Sequence, residues 1–214
     1  MKQNLPLVIS INRELGSGGA YLGQRLASRL NMLYLDKEIF REVAQKLGVY
    51  EDAIQYRDEK LISNWEFILS AISYAQPEFN YSPAKILPSN KDFFQAESEI
   101  ISKIATEKSV VIIGRGSSHI LRNHSNHVSI FLHANMEFRS NRIQNLYGLS
   151  QREAQKLIES TDKARLQFIH TLTGTNLYDA RQYHLSIDTG ILGFDIVEEL
   201  ILNYLDKRST QNTY

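Results

Sequence analysis

The chain contains no cysteine. That excludes disulfides, thiolate metal sites and thiol catalysis. It has no excess charge of either sign: 24 Lys and Arg residues balance 24 Asp and Glu residues. Nothing in that balance gives a general attraction to nucleic acid or to an anionic membrane. Its apolar runs fall far short of the roughly 20 residues a membrane helix needs. The opening MKQNLPLVIS lacks the apolar core of a signal peptide, so a cytoplasmic location is expected. The six histidines show no metal-ligand spacing of the HExxH kind. His119, His124, His127 and His133 read as surface or strand-end residues. Prolines number only four, and three of them, Pro77, Pro83 and Pro88, crowd into one segment.

What is present organises around residues 7 to 30. Leu7 to Ile11 is a short apolar run rich in β-branched side chains, which suits a buried strand. Glycines follow at positions 16, 18, 19 and 23. Leu22, Leu26 and Leu30 then recur every four residues, so a helix is expected from near Gly18 to about Leu30. Strand, glycine-rich turn and helix are how phosphate-binding α/β domains open, because backbone N–H groups converge on an anion at a helix N-terminus. The turn departs from the Walker pattern GxxxxGK[ST]. With Gly18 as the second glycine, Arg13 occupies the place of the first. Gly19 stands where the lysine belongs, and Ala20 where the Ser or Thr belongs. Sliding the register by one residue supplies neither group. Phosphate binding by backbone alone and a plain tight turn both fit this stretch.

Length and an apolar content of 43% fit one domain of 214 residues, with room for an inserted segment. Met32 to Asp36 reads as a second strand, closing a βαβ-sized unit of about thirty residues. Asp36 lies just past its C-terminal end, where an open parallel sheet faces its ligand crevice. It is a substrate-site candidate or, equally, the N-cap of a helix Lys37 to Leu47. Residues 49 to 107 interrupt the α/β alternation with a helix at Glu59 to Tyr74, a Pro-rich loop and a helix at Gln95 to Glu107. A helical insertion there is a natural clamp over a ligand, while Trp65 and the aromatics around the loop read chiefly as core. Ser109 to Gly116 is the clearest buried strand and ends in Gly-Arg-Gly. A guanidinium at that edge has no evident structural task, so Arg115 reads as a phosphate ligand.

His127 to Ala134 is the next strand. Met136 to Tyr147 reads as a helix that Gly148 ends. Ser150 and Glu153 form a capping box for the helix that follows. A hairpin of these two helices, residues 136 to 172, brings Lys163 and Arg165 near Arg139 and Arg142. The four cations are either a solvated face or a lid over polyphosphate. Tyr183 to Gly190 is a last strand, Phe194 to Leu205 a closing helix, and KRSTQNTY a tail expected to be mobile.

Taken together, VISINRELGSGGAYLGQRLASRL, YLDKEIF, VVIIGRGSSHIL, FLHANMEFRSNRI, STDKAR and YHLSIDTGILGFD resemble the cytidylate kinase-like family of P-loop proteins over nearly the whole chain. The resemblance implies a three-layer α/β/α fold on a parallel five-stranded sheet, with an NMP-binding insertion and an arginine-bearing lid. It also implies a kinase that uses ATP, and Mg²⁺ where a site for it exists, on a nucleotide or another phosphorylated small molecule. Gly16, Ser17, Gly18 and Gly19 would hold donor phosphates, with Arg13 able to reach them. Asp36 and Arg115 would hold the acceptor, and Arg139, Arg142 and Arg165 match lid arginines. True cytidylate kinases carry an aspartate where this chain has Gly116, and an acidic residue where it has His133. Family members commonly carry Arg-Glu in place of Ala20-Tyr21.

Overall fold

The computed structural model describes residues 5–36 and 91–211. The helix expected at 37–47, most of the 49–107 insertion, Trp65 and the Pro-rich loop lie outside the described residues.

The centre is a five-stranded parallel sheet of order β2-β3-β1-β4-β5. Its strands are β1 (Val8–Arg13), β2 (Leu33–Leu35), β3 (Val110–Ile113), β4 (His127–His133) and β5 (Leu185–Asp188). Being central, β1 pairs with both β3 and β4, Ile11 aligning with Ile113 on one side and Ile130 on the other. The near-continuous apolar sequences follow from burial on both faces. Val110, Val111 and Ile112 have no exposed surface.

Helix α1 (Gly19–Arg29) and the long C-terminal α7 (Phe194–Gln211) cover one face. Ile9, Ile11, Leu22, Leu26, Val197 and Ile201 form its packed interior. The two helices are tied by Arg25 and Arg29 to the buried Glu198 and by Arg25 to Asp195. On the other side lie α2 (Lys91–Glu107) and the short α3 (Ser117–Ile120). Ile100, Ile101 and Ile104 of α2 join the core.

The hairpin α4 (Met136–Tyr147) and α5 (Gln151–Thr173) forms as expected. Asn135 caps α4, and the reciprocal Ser150–Glu153 capping box opens α5. Gly148 and Gly174 close the two helices in the left-handed conformation, which glycine adopts without steric cost. The hairpin has its own small core of Leu15, Ile143, Ala154 and Ile158. Leu15 belongs to the loop after β1, so this satellite core joins the hairpin to that loop.

One expectation is corrected. The tail expected to be mobile is helical through Gln211. Arg208 donates to the carbonyls of His127 (2.6 Å) and Ser125 (3.1 Å), so a tertiary contact holds a stretch without apolar periodicity. His127 begins a strand as expected but is buried, at 4% exposure.

Candidate functional site at the C-terminal edge of the sheet

The ends of β1, β2, β3, β4 and β5 share one edge because every strand runs the same way. The glycine loop lies at its middle. Gly16 and Gly18 have φ of +87° and +84°, a region that side chains with a Cβ rarely enter. Close packing compounds this. A Cβ at Gly16 would come within 2.8 Å of the Arg139 carbonyl oxygen, and one at Gly18 would strike the Phe194 ring. Gly18 is the N-cap of α1 and offers no side-chain acceptor. The first-turn N–H groups of such a helix are suited to an external anion.

Ser17 is fully buried, and its hydroxyl points away from that position. It donates to the Glu14 carbonyl (2.9 Å) and the Leu132 carbonyl (3.1 Å). The Ser17 carbonyl in turn accepts from the buried Thr189 hydroxyl (2.9 Å). Ser17 therefore shapes the loop, its N–H also donating to the Glu14 carbonyl (3.4 Å).

At the neighbouring strand end, Gly114-Arg115-Gly116 follows β3. Arg115 has φ of +58° and ion-pairs with the buried Glu97 of α2. This pair gives the guanidinium a structural task that is not legible in the sequence. Phe94 of α2 packs edge-on against Phe168 of α5 (6.2 Å between centroids). A Cβ on Gly116 would lie 2.9 Å from the Phe94 ring. Asp36 follows β2 beside Tyr34. The phenol of Tyr34 is pushed up, first by burial and then by the Asp36 charge, while Arg13 opposes the shift. Arg13, Tyr34 and Asp36 thus share one electrostatic neighbourhood.

The hairpin arginines occupy three different environments. Arg139 is buried and paired through its Nε and Nη1. It donates to the Ala134 carbonyl (2.9 Å), the Leu15 carbonyl (3.3 Å) and Asp162 (2.5 Å), and lies 3.4 Å from Glu14. Arg165 donates to the Arg13 carbonyl (3.3 Å) and lies 3.4 Å from the same Asp162. Arg142 has no carboxylate partner among the described residues. Its guanidinium lies over the rings of Phe194 (4.8 Å) and Tyr21 (5.6 Å), beside the start of α1. Burial, the largest influence, lowers its pKa from the usual arginine value.

Three residues emerge that the sequence did not single out. Asp162 accepts from the Leu15 N–H (2.7 Å) as well as from Arg139 and Arg165, binding the glycine loop to the hairpin. Glu14 accepts from the Ala134 N–H (3.3 Å), and burial is the largest cause of its raised pKa. Glu97 pairs with Arg115. Only Asp162 had a local signal, its i,i+3 spacing from Arg165 in STDKAR.

A Walker-type Mg²⁺ site needs a hydroxyl at the start of α1. Ala20 stands there, and the nearby Ser17 hydroxyl is committed to backbone. No cluster of three metal-ligating side chains exists among the described residues. These residues do not fit a protein-held Mg²⁺, and no step below runs through one. Among them, no helix is long and apolar enough to cross a membrane.

Residues 8–191 match the profile of the cytidylate kinase-like family. The chain is 24% identical to the cytidylate kinase of Thermoplasma volcanium, over 96% of this chain and 95% of that one. An uncharacterized protein from Eubacterium ventriosum has a similar crystal structure, with a TM-score of 0.70 at 26% identity, covering 94% of this chain and 98% of that one. The shikimate kinase of Bacteroides thetaiotaomicron shares the fold, with a TM-score of 0.51 at 13% identity over 94% and 98% of the two chains.

Proposed function

The chain belongs to the cytidylate kinase-like family, and from that premise we propose that it transfers the γ-phosphoryl group of ATP to a nucleoside monophosphate, CMP or dCMP first. The observation that carries this reading is that the glycine loop and the Arg115 and Asp36 positions meet at one sheet edge. Backbone N–H groups of residues 16 to 19 hold the donor's β- and γ-phosphates, with Arg13 as their cation. Arg115 holds the acceptor phosphate and Asp36 the rest of the acceptor. An acceptor phosphate oxygen attacks the γ-phosphorus, the bond to the β,γ-bridging oxygen breaks, and ADP leaves. Such chemistry is chiefly positioning and charge stabilisation.

The 136–172 hairpin acts as the lid. Arg142, held over Phe194 and Tyr21, offsets charge on the transferring group. Arg139 and Arg165 hold the loop through Asp162. The test is calorimetric titration of ATP and, separately, of CMP into the wild-type protein and Arg115→Ala. The reading expects both ligands to bind wild type, and CMP alone to be weakened by the substitution. Failure of wild type to bind either would contradict it.

A second reading has its own support. Arg139 and Arg165 share Asp162, and position 19 lacks the lysine, so a nucleotide- or anion-binding protein without turnover also fits. It would bind ATP and form no product. A kinase for a different small metabolite would form product, but not from a nucleoside monophosphate.

A further inference from the structure

In the Walker pattern the two ends of the loop carry a glycine and then a lysine. Here position 13 carries arginine and position 19 glycine. The structure shows these two positions in contact. Gly19 is the first residue of α1. A Cβ built on it would lie 2.7 Å from Arg13 Cγ, 2.9 Å from Arg13 Cβ and 3.3 Å from Cδ. Of these atoms the Cβ is fixed by the backbone and cannot swing aside, while Cγ could withdraw only by a change of rotamer that takes the guanidinium off its path. A side chain at position 19 is therefore incompatible with the one at position 13.

The far end of Arg13 is framed in the same way. Its Nη1 lies against Gly114, where a Cβ would collide with it. The arginine thus runs from the end of β1, across the start of α1, to the end of β3. That path lies between the glycine loop and Arg115. The end of β1 is itself held in place, because the Arg13 carbonyl accepts from Arg165.

We propose that the cation and the glycine of the phosphate loop have exchanged ends, so that Arg13 supplies from β1 the charge that a lysine at the start of α1 would otherwise bring to a polyphosphate. The exchange accounts for two facts at once: the missing lysine, and an arginine laid over two glycines at a sheet edge. It also gives the site a different donor. A guanidinium offers a planar fork that can bridge two phosphate oxygens, where an ammonium is a point charge. The inference rests on the reading that the loop takes a nucleoside triphosphate.

Four proteins test it: wild type, Arg13→Ala, Gly19→Lys, and the exchange Arg13→Gly with Gly19→Lys. Each is titrated with ATP and with sodium pyrophosphate, and its thermal midpoint is measured without ligand. Arg13→Ala should weaken both ligands by about 10- to 100-fold, the range for a lost hydrogen bond to a charged group. Gly19→Lys alone should gain no affinity and lose about 5 °C or more from overpacking. The exchanged protein should recover both affinity and midpoint.

If wild type binds ATP and Arg13→Ala binds it equally well, the inference is overturned and the nucleotide reading stands. The inference also fails if Gly19→Lys binds more tightly than wild type at an unchanged midpoint. If no wild-type binding is found for either ligand, the nucleotide reading fails and Arg13's role as its cation fails with it. A surviving stability coupling between positions 13 and 19 would then mark a packing device only.

Discussion

Arg115 has a structural debt as well as a proposed ligand. Its side chain is 15% exposed and that of its partner Glu97 is 8% exposed. Removing one member of so buried a pair leaves the other charge uncompensated, at a cost of about 3–5 kcal/mol. Arg115→Ala should therefore lose that much stability in urea titration. The double substitution Arg115→Met with Glu97→Leu should regain most of it, since both charges leave together. The double variant should still fail to bind CMP. Recovery of stability without recovery of binding separates the two roles; recovery of both would deny Arg115 an acceptor role. Gly18 makes a simpler residue-scale case. Gly18→Ala combines a left-handed φ of +84° with a clash against the Phe194 ring. Overpacking and backbone strain together should destabilise by about 2–5 kcal/mol, visible as a lower urea midpoint.

At the scale of elements, Asp162 is the join between the β1–α1 loop and the α4–α5 hairpin. It receives the Leu15 N–H and two guanidinium groups from a position that is 8% exposed. Asp162→Ala should cost about 3 kcal/mol or more by stranding Arg139. It should also raise amide exchange at Leu15 and its neighbours above that of the β1 core. Exchange confined to global unfolding would mean the join is not local.

The elements themselves were largely legible in the sequence. Short apolar runs marked every strand of the sheet, and Ser150 with Glu153 marked the start of α5, because these signals are local. Partnerships were not legible. Arg115 meets Glu97 across a helix-to-strand packing, and Asp162 meets Leu15 from 147 positions away. No periodicity encodes such meetings. The last turns of α7 were missed for the same reason, since Arg208 holds them through carbonyls of the β4 segment.

For the molecule as a whole, the two faces of the sheet differ in chemistry. One is apolar beneath α1 and α7. The other buries a hydrogen-bonded row: His127 Nε2 to Ser10 Oγ (2.7 Å), Ser10 to Ser118 (2.8 Å), Ser118 to Asn12 (3.0 Å) and Asn12 to Tyr183 (3.3 Å). Burial, with His184, His124 and Arg208 nearby, pushes His127 down to about 4 from 6.5. Burial likewise lowers His184 and His119. A histidine whose folded pKa is depressed binds its proton first in the unfolded chain. Stability is therefore whole above the unfolded pKa and falls as pH drops from about 6.5 toward 4, by about 3 kcal/mol for His127. His127→Gln, which can keep a hydrogen bond to Ser10, should flatten that fall in urea titrations across the same window. An unchanged slope would mean that other groups carry the acid sensitivity.

The central claim is phosphoryl transfer to a nucleoside monophosphate. Its most direct test is chromatographic separation of products after incubating the protein with ATP, with and without Mg²⁺, and each of CMP, dCMP, UMP, AMP and GMP, alongside shikimate and gluconate. The account predicts a nucleoside diphosphate formed from CMP or dCMP ahead of the other acceptors, and lost in Arg13→Ala. No diphosphate from any nucleoside monophosphate, or product from shikimate or gluconate alone, would contradict it.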